Sequence, residues 1–384
     1  VQEDGRAQAV PLNPSSARRF GALVPVHLAE QRLLDSLHPI AAHSIAIGEA
    51  AGRVLAEPLR CDVPVPARAI AVREGWAVSA AAVVGASAYS PVLMAQRPTW
   101  VETGDVMPPG SDAVLPSDGV SLDHGLVTVL SGAAPGEGVR RAGEDLAVGS
   151  ILWAAGERLR ATDIAVAHGI GIRRALVRTA RVRIVSVAAG DTDMTGDLVA
   201  AWVEAQGAAV ERLRPRSPET SPIGAALRQD GADLIVVVGG TGLGHGDHAA
   251  EALAQAGSLI AHGLALRPGE TSGCGLVGPT PVILAPGRPD AALAATLMLV
   301  LPCLDRMMAA SSPRPSVSGR LTRKIASTVG LTELVLLRIC GHSLEPIAVA
   351  DVTLAAISQG RAWLAVAPDS EGCAAGETVT AFVL

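Results

Sequence analysis

The densest run able to hold an anion is Gly239-Gly240-Thr241-Gly242-Leu243-Gly244-His245-Gly246-Asp247-His248. It follows five apolar residues, 234–238, and precedes a helical pattern over 248–255. In an open α/β sheet, ligands bind where strands end. Glycines let backbone N–H groups approach an anion, and a helix start adds partial positive charge. The spacing is neither GxGxxG nor a Walker loop, because no GK[ST] follows. Two readings stand: a loop for a phosphate- or pterin-type ligand, or an ordinary tight connection. Asp247 is the only acid in the run. It could be a metal ligand or a helix N-cap. His245 and His248 flank it, although adjacent ligands on one tight turn seldom all face one ion.

Two more loops follow apolar strands and would open at the same sheet edge: 188–193, with Asp191, and 285–290, with Pro286, Gly287 and Arg288. Arg288 could pair with a phosphate at a helix start or be a solvated turn residue. Arg267, in the turn Arg267-Pro268-Gly269-Glu270, is a further anion partner. There is no GxSxG, no HExxH and no Cys beside a plausible His partner, so covalent catalysis is disfavoured. Metal-assisted chemistry on a phosphate, or binding alone, fits better.

The elements that must position these loops are legible from periodicity. Strand runs at 182–187, 213, 234–238 and 281–284 alternate with helix runs at 197–206, 221–229, 248–255 and 290–308. That alternation predicts a largely parallel sheet covered on both faces. Upstream, helices are expected over 26–37, 47–55 and 162–169, and residues 60–140 read as a small β-rich domain. After the linker 311–315, short strands at 333–339, 362–366 and 378–384 read as a separate β domain.

The chain has 384 residues, 49% hydrophobic and 18% charged, which excludes a disordered chain. A net charge of −6 and only 2% aromatics argue against nucleic-acid binding. The apolar stretch 291–304 holds Thr296 and Pro302 and falls short of the ~20 residues of a membrane span, so it reads as a buried helix. No signal-peptide pattern follows the charged first residues. Five scattered Cys without CxxC point to a reducing cytoplasm and away from a thiolate zinc site.

In sum, the motif order resembles the MoeA/gephyrin-E family of molybdopterin molybdenumtransferases over roughly 22–384. The carriers are Gly52-Arg53-Val54-Leu55-Ala56-Glu57, then Arg73-Glu74-Gly75-Trp76-Ala77-Val78 (a DGYAV-like box) and Glu102-Thr103-Gly104-Asp105 with the run 107–114. Next come Arg141-Ala142-Gly143-Glu144-Asp145 (an RGED-like box), a G..L…G..L-like stretch from Gly149 to Leu159, and the loops around Gly239, Arg267 and Pro286. The resemblance implies a multidomain α/β fold. It has an extended, discontinuous linker domain (22–60 plus 140–180), a β-rich second domain (61–139), a central αβα molybdopterin-binding, MogA-like domain (181–310) and a C-terminal β-barrel (316–384).

It also implies an activity: joining molybdate to adenylated molybdopterin with release of AMP, assisted by Mg²⁺ or another divalent cation, in a cytoplasmic homodimer. The family's site lies between domains of different subunits. Carried over by position, Asp247, Glu74 and Asp191 would be catalytic and metal-binding. Thr103, Gly104, Asp145, Gly239, Gly240, Thr241, Gly242, Arg267, Pro286, Gly287 and Arg288 would bind substrate. An upstream adenylyltransferase and a client molybdoenzyme are the implied protein partners; no nucleic acid or membrane is implied.

The chain departs from the family pattern at several sites. Glu74 replaces an Asp, Thr192 a Glu, Glu270 a Lys and Arg288 an Asn, and Glu219 stands in for a helix-start acid. The alternative reading is a catalytically weakened paralogue that binds molybdopterin or the finished cofactor as carrier or assembly partner. A third is a structural scaffold on the same fold.

Overall fold

The computed structural model describes residues 22–123, 126–187 and 192–384. They form two compact units. One comprises the described part of 1–57 with 155–168 and 172–384; the other comprises 58–154 and 169–171.

The first unit is organised by a six-stranded sheet. In chain order its elements are β1 (Arg181–Ser186), α1 (Met194–Ala205), β2 (Ala209–Leu213), α2 (Thr220–Leu227), β3 (Leu234–Val238), α3 (Ala249–Ala256), β4 (Ser258–His262), β5 (Gly273–Val277), β6 (Thr280–Ala285) and α4 (Pro289–Met308). The strand order is β2-β1-β3-β6-β5-β4. The first four are mutually parallel, and β5 runs antiparallel to both of its neighbours. Successive strand residues point to opposite faces, and β3 shows the result. Leu234, Val236 and Val238 join one core with α1, α4 and the helix Val26–Asp35. Ile235 and Val237 join a second core with α2 and α3. All five β3 residues are buried.

Helix α4 is long and apolar enough to cross a membrane, yet 83% of its most apolar window is buried within the protein. Its middle, Thr296–Val300, takes a π-helical turn that ends two residues before Pro302. Proline has no N–H to offer the preceding turn, and a wider turn absorbs that gap.

Residues 316–383 close a five-stranded barrel. Thr332–Cys340 pairs with Ser343–Val349 and with Ala362–Val366; Ser316–Leu321 and Thr378–Val383 complete the ring. Val335 and Leu337 fill the barrel, while Leu334 and Leu336 face outward into the αβα core. The short strand Leu266–Arg267 adds to the barrel beside Thr332 and Glu333.

The second unit holds two three-stranded sheets. Gly75–Val78 lies between Thr99–Val101 and Ala113–Leu115, and Leu126–Val129 lies between Val92–Met94 and Val120–Asp123. Trp76 meets Trp100 edge-on at 5.1 Å.

The helix expected at 47–55 is instead a short 3-10 turn, Ile47–Glu49, followed by the strand Val54–Leu55. Gly52 turns the chain with φ +76°, and Val54 and Leu55 pair with Arg178 and Val177.

Candidate functional site

Adjacent strands β1 and β3 send their chains in opposite directions, one through α1 to β2 and the other through α3 to β4. Such a reversal leaves a crevice at the strand ends. The glycine-rich loop 239–248 leaves β3 there.

Gly239 and Gly240 have φ of +87° and +67°, a region that side-chain-bearing residues avoid. A Cβ on Gly240 would also press on Val187 Cγ1 at 3.0 Å. The Gly239 N–H donates to the Ala285 carbonyl at 2.9 Å. A Cβ on Gly287 would lie 3.5 Å from Gly239 Cα, so the loops leaving β3 and β6 rest on each other. The Thr195 hydroxyl donates to the Gly287 carbonyl at 2.8 Å and ties this pair to α1. Pro286 continues the same loop.

Asp247 folds back over its own loop. Its Oδ2 accepts the Gly244 N–H at 2.8 Å, and Cβ atoms on Gly242 and Gly244 would come within 2.6 and 2.9 Å of that oxygen. The N-cap of α3 is His248, without a side-chain capping bond. Asp247 is therefore a loop clasp and not a helix cap. Its carboxylate retains acceptor capacity beyond one amide.

Thr241 is 2% exposed. Its hydroxyl meets the Thr271 hydroxyl at 3.2 Å, and its carbonyl lies 2.8 Å from His262 Nε2 at the end of β4.

Both candidate cations have acidic partners. Arg288 forks onto the buried carboxylate of Asp290, at 3.1 and 2.6 Å. Arg267 reaches Glu270 at 3.2 Å, the buried Glu333 at 3.3 Å and Thr328 at 3.4 Å. Arg267 thus fastens its loop to the barrel.

At the β1 exit, Asp193 caps α1 by accepting the Gly196 N–H at 2.9 Å and pairs with Arg212 at 2.8 Å. Burial pushes this carboxyl up, but the Ser186 hydroxyl, the Gly196 amide and Arg212 outweigh burial and hold it below its ordinary range. Ser186, Asp193, Arg212, Leu213 and Arg214 line a cavity of about 150 Å³. Asp191 lies outside the described residues.

In the second unit, Glu74 is exposed, directly before Gly75. Thr103 and Gly104 form the exposed tip of a turn that Asp105 closes by accepting the Glu102 N–H at 2.9 Å. The Gly104 N–H donates to Ala71 at 2.8 Å. Asp145 is exposed and pairs with Arg140 at 3.3 Å. Among the described residues, no three His, Cys, Asp or Glu side chains gather as a metal site.

The structure thus brings the loops of Gly239–Gly242, Asp247 and Pro286–Arg288 to one sheet edge. The sequence reading missed His262, Thr271, Thr195 and the Asp193–Arg212 pair. Of these, only Asp193 carried a signal, as a capping residue ahead of a helical run.

Comparison with known proteins names this architecture. Residues 24–171 match the MoeA N-terminal region (domain I and II), and residues 176–306 match the probable molybdopterin binding domain. The chain belongs to the MoeA family of molybdopterin molybdenumtransferase-like proteins, which serve molybdenum-cofactor biosynthesis. It is 25% identical over 327 residues to a molybdopterin molybdenumtransferase 2 of Mycobacterium tuberculosis, covering 75% of this chain and 80% of that one. It is 23% identical to a putative molybdopterin biosynthesis protein of Methanocaldococcus jannaschii, covering 94% and 98%. A crystal structure of a molybdopterin biosynthesis MoeA protein from Pyrococcus horikoshii shares the fold, with a TM-score of 0.77 at 22% identity, over 94% of this chain and all of that one.

Proposed function

We propose that the protein joins molybdate to adenylated molybdopterin with release of AMP. The observation that carries this reading is the glycine loop at the β1/β3 reversal, with the Asp247 carboxylate folded onto it. Backbone N–H groups of 240–242 would hold the anionic end of the substrate, next to the loop of Pro286, Gly287 and Arg288. The donor chemistry of Asp247 fits Mg²⁺, which takes oxygen ligands, keeps several waters and rests on one or two carboxylates plus substrate phosphate. Asp191 is the second acid of that set by resemblance. When bound, the cation offsets negative charge on molybdate and the leaving phosphate. Glu74, Thr103, Gly104 and Asp145 are the residues that the family resemblance assigns to the other unit.

The same reading makes the protein a cytoplasmic homodimer that receives its substrate from an adenylyltransferase and serves a molybdoenzyme. Sedimentation at micromolar concentration tests the dimer; a monomer there would contradict it. A second reading, a carrier that binds molybdopterin without turnover, is favoured by the acids that already neutralise Arg267 and Arg288 and by Glu270 itself. The deciding experiment is AMP release from adenylated molybdopterin in the presence of molybdate and Mg²⁺. Turnover supports the transferase; tight binding without AMP supports the carrier.

A further inference from the structure

We propose that His262 is a positioning residue for the glycine-rich loop, acting through the Thr241–Gly242 peptide; this rests on the reading of that loop as an anion cradle. His262 Nε2 lies 2.8 Å from the Thr241 carbonyl. A carbonyl only accepts, so Nε2 is the protonated nitrogen. The peptide unit is planar and trans, so its N–H points opposite to its C=O. By holding the Thr241 carbonyl, His262 sets the direction of the Gly242 N–H, which then points away from β4.

Glycine cannot set that direction by its own sterics, because it tolerates most backbone conformations. The constraint has to come from outside the residue. His262 supplies it at the carbonyl, and Thr271 supplies a second one at the Thr241 hydroxyl, 3.2 Å away. Thr241 is 2% exposed with its hydroxyl turned to Thr271, so its contribution to a ligand is made by backbone. Donors fixed before the anion arrives need no reorganisation on binding. His262 is the last residue of β4, and a group placed on a strand is held more precisely than one on a loop.

The test pairs two variants with a ligand-independent readout. Inorganic phosphate is titrated calorimetrically into wild type, His262→Gln and His262→Leu, and each melting temperature is recorded. Gln keeps a donor at nearly the same reach; Leu keeps bulk and loses the donor. The expected result is affinity about tenfold weaker in His262→Leu, within threefold of wild type in His262→Gln, with both variants folded. Equal affinity in all three would overturn the positioning role while leaving the anion cradle intact. A wild type that binds no phosphate would overturn the cradle and the inference with it. Separately, ¹⁵N spectra of histidine-labelled wild type should show a proton on His262 Nε2. An Nδ1–H tautomer with bare Nε2 would overturn the proposal even if His262→Leu does not fold.

Discussion

The carboxylate of Asp247 accepts the amide proton of Gly244 across 2.8 Å, and the glycines at 242 and 244 leave room for that oxygen. Conformation and charge at this position are therefore separable. Asp247→Asn keeps an acceptor oxygen for Gly244 and removes the charge; Asp247→Ala removes both. Loss of the bond in the alanine variant should lower stability by about 1 kcal/mol, and the asparagine variant should melt close to wild type. Both should lose Mg²⁺-dependent AMP release. An asparagine variant with undiminished Mg²⁺ response would reduce Asp247 to a clasp.

Gly75 has φ +151°, and a Cβ there would lie 1.9 Å from the Leu115 carbonyl oxygen, across the strand pair that builds the second unit. Backbone must move to admit it. Gly75→Ala should destabilise that unit by roughly 3 kcal/mol or more, read as a lower urea midpoint or a separate early transition. A loss under about 1 kcal/mol would contradict the packing described.

Asp193 gives a pH signature. Its carboxyl is held below the ordinary value of 3.8. A depressed folded-state value means that the stabilisation is complete above the unfolded value and is lost as pH falls through the lower folded value. The melting-temperature gap between wild type and Asp193→Asn should be constant near neutrality and shrink below about pH 4. A gap unchanged down to pH 2 would show that the carboxylate charge is not what stabilises α1 and Arg212.

Glu270 stands where the family resemblance implies a cation, and it holds Arg267 at 3.2 Å with both side chains about 40% exposed. Exposed pairs contribute at most about 1 kcal/mol, so Glu270→Lys should fold. It removes one of the two acids on Arg267 and should tighten phosphate binding severalfold, less at high salt. Weaker binding with a lost Mg²⁺ response would show instead that Glu270 serves the cation.

Much of this was legible in the sequence because β3 is five apolar residues in a row, followed at once by glycines; length, burial and loop chemistry agree there. The alternation that predicted a parallel sheet did not reveal β4 and β5. β4 is the edge strand, with only Ala261 of its five residues buried, and two of the five residues of β5 are glycines, so neither shows a clean period. Ser343–Val349 was missed because Glu345 and Pro346 interrupt its apolar pattern, although its alternate residues Leu344, Pro346 and Ala348 are buried. The clasp of Asp247, the hold of His262 on Thr241 and the pairing of Arg267 with Glu333 all join residues distant in sequence or bent back within a turn. No local propensity encodes such contacts, and His262 is one histidine among nine.

The most direct test of the central claim is the molybdate dependence of AMP release. Purified protein is incubated with adenylated molybdopterin and Mg²⁺, with and without molybdate, and AMP is quantified beside molybdenum retained on the pterin. AMP and bound molybdenum should appear in equal amounts, only when molybdate is present, and neither should appear with Asp247→Asn. Tight retention of adenylated molybdopterin with no AMP, under conditions where an unaltered relative turns over, would contradict the transferase reading and make the protein a carrier.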